Sequence, residues 1–205
     1  MGFYERRVFP LINDALTSSP VFERLRAEVL HHARGRVLEI GFGSGLSLPF
    51  YSRGVDQVIG VEPSEGMRDR ARTRVAAAGL PVEVRAGDAE RLPVADGSID
   101  TAVSLLTLCS VRDPDAVLVE LRRVLGPNGQ LLVLEHGLAA DPGVQRWQRR
   151  LDWLEGIVAC GCHLTRPVTA MLARHGFSTS GLRSFYVPGA PRTHGWITHG
   201  RAPRD

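Results

Sequence analysis

Apolar residues follow two alternating rhythms along this chain. Short dense runs, such as Val37-Leu38-Glu39-Ile40, Val58-Ile59-Gly60-Val61 and Leu131-Leu132-Val133-Leu134, are bounded by Gly, Asp, Asn, Pro or Glu. Runs this short and this apolar suit parallel strands buried on both faces. Between them the spacing widens to a helical period: 64–78 is rich in Arg and Ala, and 116–125 sets Val117, Leu121 and Val124 on one face. The predicted strands are 36–40, 57–61, 82–86, 99–108, 130–134, 177–186 and 194–199, with a Gly-Pro-Asn-Gly turn at 126–129. Strand and helix alternating in this way predict an α/β fold. The expected architecture is one domain built on a doubly wound, mostly parallel sheet of seven strands, the last pair antiparallel.

The flanks read differently. In 1–34, Val8, Phe9, Leu11, Ile12 and Leu16 can form one face of a short helix interrupted by Pro10. Ser19 then caps a clearer helix with Pro20 at its first position and Val21, Leu25 and Val29 at helical spacing, Phe22 and Leu30 widening the stripe. Such helices can close over a ligand, anchor at an interface for an apolar substrate, or pack on the sheet edge. Beyond the central 35–137, an aromatic amphipathic helix spans 142–160 and a shorter one follows Pro167 and runs to Arg174. Trp147, Trp153 and Phe185 either line an apolar pocket or fill the core of this last region, 138–205.

Composition narrows the classes. The 205 residues are 43% hydrophobic and 23% charged, enough for one sizeable core. All 25 basic residues are Arg, scattered rather than clustered, so the net charge of +3 does not describe a nucleic-acid footprint. Cys109, Cys160 and Cys162 are too few for a disulfide scaffold and fit a reducing, cytoplasmic setting. Neither a signal peptide nor a membrane-length apolar stretch is visible.

The chemistry concentrates where the first strand ends. Gly41, Gly43 and Gly45 follow it, and a helix is expected next, with Ser44 or Ser47 near its cap and Pro49 in its first turn. A strand, a glycine loop and a helix make a nucleotide-binding corner. Position 46 is Leu, so the dinucleotide spacing G-x-G-x-x-G is not met. Instead Glu39 and the three glycines read E-x-G-x-G-x-G, which resembles motif I of the class I S-adenosylmethionine-dependent methyltransferases. Glu62, at the end of the second strand, is positioned to accept from ribose hydroxyls, and Pro63 breaks that strand. Met67 either packs on the adenine or serves the core, and Asp88 after the third strand can accept from the adenine amino group.

Taken in order, these features over 36–136 resemble the methyltransferase type-11 family, which includes quinone C-methyltransferases. The similarity implies a Rossmann-like fold, S-adenosylmethionine as cofactor, and a cofactor site of Glu39, Gly41, Phe42, Gly43, Gly45, Glu62, Pro63, Met67, Asp88, Ala89 and Leu106. Thr107-Leu108-Cys109-Ser110-Val111, Glu135-His136, Gly161-Cys162, Leu164-Thr165-Arg166 and the final His-Gly-Trp-Ile together look like the animal methyltransferase-like thiol S-methyltransferases. Those proteins carry a hydrophobic N-terminal membrane segment, whereas this chain has only the short helices above, so membrane attachment does not carry over from the resemblance and peripheral membrane contact stays open. Bacterial phospholipid N-methyltransferases share parts of the pattern.

The favoured acceptor is therefore a small apolar thiol. A phospholipid amine, a quinone or phenol, and a catalytically silent cofactor-binding partner subunit stand as the other readings. A thiol with a pKa near ~8.5 is partly ionised at neutral pH and needs little base catalysis. If a base exists, His136 is the best placed, facing the pocket from a strand end, with His163 next and Cys109 beside the expected methyl group. Cys160, Cys162 and His163 lack a second ligand pair at zinc spacing, so no metal is expected.

Overall fold

A computed structural model describes residues 9–205. Val8 lies outside the described residues, as do the side chains of Phe9, Pro10 and Leu16. The chain runs α1 (Phe9–Thr17), α2 (Pro20–Leu30), β1 (Gly35–Ile40), β2 (Val55–Val61), α3 (Glu65–Ala76), β3 (Val82–Arg85), β4 (Ile99–Leu105), α4 (Pro114–Val124), β5 (Leu125–His136), α5 (Pro142–Val158), α6 (Val168–Arg174), β6 (Gly181–Tyr186) and β7 (Trp196–Pro203). The seven strands form one sheet in the order β3-β2-β1-β4-β5-β7-β6. β7 runs antiparallel to both its neighbours, and the pairs among β1 to β5 are all parallel.

Each dense run feeds two cores. Leu38 and Ile40 of β1, Ile59 and Val61 of β2, and Leu131 and Val133 of β5 join α4 and α6 on one face. Val37, Val58, Leu132 and Leu134, the residues between, meet Leu25 and Val29 of α2 on the other. Alternation across a pleated strand, with both faces covered, is why these segments read as continuous apolar runs. α2 packs on the sheet: His199 Nε2 of β7 lies 3.0 Å from the Leu25 carbonyl, and Gln130 of β5 donates to the His32 carbonyl at 2.6 Å.

Several elements differ from expectation: β4 ends at Leu105 rather than running to 108, its last expected residues forming a turn. The segment after the glycine loop forms only a 3₁₀ turn, Leu48–Phe50, not a helix. Ser47 Oγ and Tyr51 Oη both donate to the buried Glu39 carboxylate, at 2.6 and 2.9 Å, and draw this segment onto the end of β1. The turn expected at 126–129 belongs to β5, where pairing jumps from Ile99–Leu125 to Thr101–Gln130 and the extra residues bulge. Finally, β6 begins at Gly181, and Phe177 instead makes an isolated bridge to Arg204.

α5 is turned inside out. Its polar residues face the protein: Gln148 accepts from the Ala139 amide at 3.0 Å and donates to the Gly137 and Thr193 carbonyls. Asp152 accepts from the Leu164 and Thr165 amides, and Glu155 meets His194. Trp147 and Trp153 are 57% and 68% exposed, and Leu154, Ile157 and Val158 are exposed with them. The two tryptophans thus neither line a pocket nor fill the core, because the inward positions are taken by side chains that satisfy loop amides and carbonyls. Phe185 alone of the three packs partly into the core.

Candidate active site

The carboxyl ends of β1, β2 and β4 open onto a crevice of about 470 Å³. The strand order reverses between β1 and β4, the place where open α/β sheets bind ligands. Gly41, Gly43, Glu62, Pro63, Met67, Asp88, Ala89 and Leu106 all line this crevice. Thr107, Ser110, Val111, Ala159 and Cys160 continue its wall.

The glycine loop is shaped by close approach. A Cβ on Gly41 would stand 2.3 Å from Thr107 Oγ1, and the backbone there has φ +59°, so glycine is required on both counts. Gly43 borders the crevice, and a Cβ there would meet only the Gly41 carbonyl at 3.8 Å, occupying space a ligand can use. Glu62 fixes the loop from the other side. Its Oε2 accepts from the Gly43 amide at 2.9 Å and its Oε1 from the Ser64 amide at 2.8 Å. Burial raises its carboxyl above the ordinary range, while those two amides pull it back. Each oxygen keeps further acceptor capacity for a diol.

Three residues expected to bind cofactor do not line this crevice, although Glu39 and Phe42 border a smaller pocket that shares Gly41, Gly43, Leu106 and Thr107 with it. Phe42 turns into the core, where its ring lies so close to β2 that a Cβ on Gly60 would be 2.5 Å away. Gly45 packs near Leu48 and Phe42. Glu39 bonds Ser47 and Tyr51, and burial lifts its carboxyl to about 7 against those hydrogen bonds and the nearby Arg26 charge. On the far side of the loop, α1 is tied down. Asp14 accepts from Ser44 Oγ at 2.6 Å and pairs with Arg70 at 2.8 Å, and Arg74 donates to the Ser44 carbonyl.

The turn after β4 is held on both sides. Glu135, fully buried, accepts from Ser104 Oγ and from the amides of Thr107, Leu108 and Cys109. Arg166 donates to the carbonyls of Leu108 and Val111. Burial pushes the Glu135 carboxyl up to about 8. Sequence reasoning gave these two residues no role, although both stand in the stretches that carry the family resemblance. Leu106 enters the turn at φ +55° and Cys160 sits at φ +48°. Both line the crevice, and they are the two non-glycine residues of positive φ among those described. Backbone strain of this kind persists where surrounding contacts over-determine it.

None of the three candidate catalytic side chains lines the crevice. His136 does not face it. The ring packs behind the turn, with Nε2 3.3 Å from Cys162 Sγ. Cys109 is 1% exposed and contacts Ser110 Oγ at 3.4 Å. A hydrogen bond from Cys162, and then the His136 charge, hold the Cys109 thiol well below its usual range, while burial opposes them. Burial would lower His136, but the Cys109 charge and hydrogen bond outweigh it and raise the imidazole to about 9. His163 is elsewhere, with Nδ1 2.9 Å from Asp152 Oδ2.

An α/β sheet of this order, with a glycine loop and a buried carboxylate at its switch point, is the fold of the class I S-adenosylmethionine-dependent methyltransferases. The chain belongs to the type-11 methyltransferase family, whose methyltransferase domain matches residues 38–133. It is 39% identical over 129 residues to a phosphatidylethanolamine N-methyltransferase of Cereibacter sphaeroides, covering 58% of this chain and 63% of that protein. It is 31% identical over 187 residues to human thiol S-methyltransferase TMT1B, covering 83% of this chain and 75% of that protein. The chain thus spans under two thirds of the bacterial relative and three quarters of the human one. A solved Thermotoga maritima structure described as a possible histamine N-methyltransferase superposes with TM-score 0.71 at 24% identity over 98% of both chains, a likeness of fold. The residues present fit the cofactor: a crevice of about 470 Å³, in the ordinary range for small-molecule sites, a glycine lining it where a Cβ would take up ligand space, and a buried carboxylate with acceptor capacity at its wall.

Proposed function

We propose that this enzyme methylates the sulfur of a small apolar thiol, with Glu62 holding the ribose, Asp88 and Ala89 reading the adenine, and Met67 packing beside it. When bound, S-adenosylmethionine supplies a methyl group on a sulfonium whose leaving group is a neutral thioether. The chain's own work is alignment and exclusion of water, the proximity effect. One observation carries the choice of acceptor. The wall around the turn after β4 consists of Leu106, Thr107, Ser110, Val111, Arg112, Ala159 and Cys160, and among the described residues no histidine or tyrosine lines the crevice. An acceptor that ionises by itself suits such a wall, and a thiol does so near neutral pH. A phenol would ask for a base. The human relative's name supports the same choice.

The inside-out α5 supports a second reading, a phospholipid amine. Its apolar residues Ile157 and Val158 are exposed immediately before Ala159 and Cys160 of the crevice wall. An acceptor held in a lipid surface would approach across that face, and the bacterial relative is named for such a substrate. Either acceptor is compatible with peripheral membrane contact. Among the described residues, no helix is long and apolar enough to cross a membrane.

Transfer of labelled methyl from the cofactor to alkyl thiols, phosphatidylethanolamine vesicles and phenols, each at equal concentration, separates the readings. A thioether as the dominant product is expected. Methylated lipid with no thioether would replace the first reading with the second, and no product with any acceptor would leave a cofactor-binding module.

A further inference from the structure

Three ligating side chains converge from separate loops at the carboxyl edge of the sheet. Cys109 lies in the turn after β4, His136 ends β5, and Cys162 lies between α5 and α6. Their Sγ atoms and a ring nitrogen all lie within 4.8 Å of one another. Cys109 and Cys162 are 1% and 4% exposed. The three backbones are fixed independently of any ligand. Glu135 and Arg166 clamp the turn that carries Cys109, β7 pairs with β5 as far as His136, and the His163 amide donates to the Cys109 carbonyl at 2.8 Å.

We propose that Cys109, His136 and Cys162 form a three-ligand site for a thiophilic divalent cation, zinc being the expected one. Tetrahedral zinc, with Zn–S near 2.3 Å and Zn–N near 2.0 Å, requires sulfur and nitrogen ligands about 3.5 Å apart. Cys162 Sγ and His136 Nε2 already stand 3.3 Å apart. Two thiolates and a neutral imidazole cancel the charge of a divalent cation, which suits a largely buried site. Binding displaces into solvent the Cys162 thiol proton and the proton held between Cys109 and His136, and changes no oxidation state. Three protein ligands leave a fourth position for water or a small ligand. Ser110, whose hydroxyl touches Cys109 Sγ, lines the cofactor crevice, so the cation would stand directly behind its wall. The site does not depend on which acceptor is methylated.

Cobalt(II) is the probe, because its thiolate complexes absorb where the protein does not. Anaerobic titration of the reduced protein is expected to develop thiolate-to-cobalt absorption that saturates at one equivalent and is displaced by zinc. Cys109→Ser and Cys162→Ser should each lose most of that absorption, His136→Ala should weaken binding at least tenfold, and Cys160→Ser should retain the full band. Circular dichroism of each variant checks that the fold persists. If a cysteine variant fails to fold, the wild-type titration still decides: saturating cobalt without thiolate absorption overturns the proposal. So does formation of a Cys109–Cys162 disulfide on mild oxidation, coupled with no uptake of cobalt or zinc by the reduced protein.

Discussion

Asp14 Oδ1 accepts a hydrogen bond from Ser44 Oγ at 2.6 Å, so the first described helix is fastened to the glycine loop thirty residues further on. Arg70 and Arg74 reach the same carboxylate from α3. Asp14→Ala removes the acceptor shared by all three. Loss of charged hydrogen bonds is expected to cost roughly 1–2 kcal/mol of loop order, or about tenfold in cofactor affinity. Hydrogen exchange over α1 should speed up in the variant, and calorimetry should register the weaker binding. Unchanged exchange and affinity would mean that α1 does not brace the loop.

Glu62 joins the glycine loop to the start of α3 through two amides. Glu62→Ala leaves both amides without their acceptor and removes the proposed ribose contact. Cofactor binding should weaken by roughly 1–3 kcal/mol. The calorimetric affinity of the variant checks this, and an unaltered value would take Glu62 out of the site.

Glu39 makes stability depend on pH. Its carboxyl is raised from 4.5 to about 7 in the folded protein, chiefly by burial. The folded state therefore binds the proton more tightly than the unfolded chain. That contribution is complete below about pH 4.5 and fades as pH rises through about 7. Over that window the wild type should lose up to about 3 kcal/mol relative to Glu39→Gln, which cannot ionise. Urea unfolding of both proteins at several pH values measures the difference. Parallel curves would show that Glu39 ionises normally.

Trp153 is 68% exposed on the outward face of α5, and Arg150 stacks over Trp147 at 5.2 Å nearby. Trp153→Ser should leave unfolding free energy within about 0.5 kcal/mol, as for other surface changes. Sedimentation with anionic lipid vesicles is expected to retain the wild type and release much of the variant. Equal retention would remove α5 from any contact with a lipid surface.

The amino-acid order alone determined the sheet and the cofactor corner of this protein. Strands buried on both faces must be apolar throughout, so the runs around Val37, Val58 and Leu131 announced themselves locally. The turn at Gly41 needs a residue without Cβ, and that too is a local demand. Tertiary structure alone decided what faces the crevice. Amphipathic spacing marked α5 as a helix, but the side that points outward was set by loop amides that Gln148 and Asp152 satisfy. The short turn at Leu48–Phe50 reflects a pull from Glu39, eight residues before Ser47. His136 and Cys162, 26 residues apart, meet only because β5 and the α5–α6 loop end at one edge of the sheet. Contacts between distant segments depend on how strands are ordered, and no local pattern encodes that order.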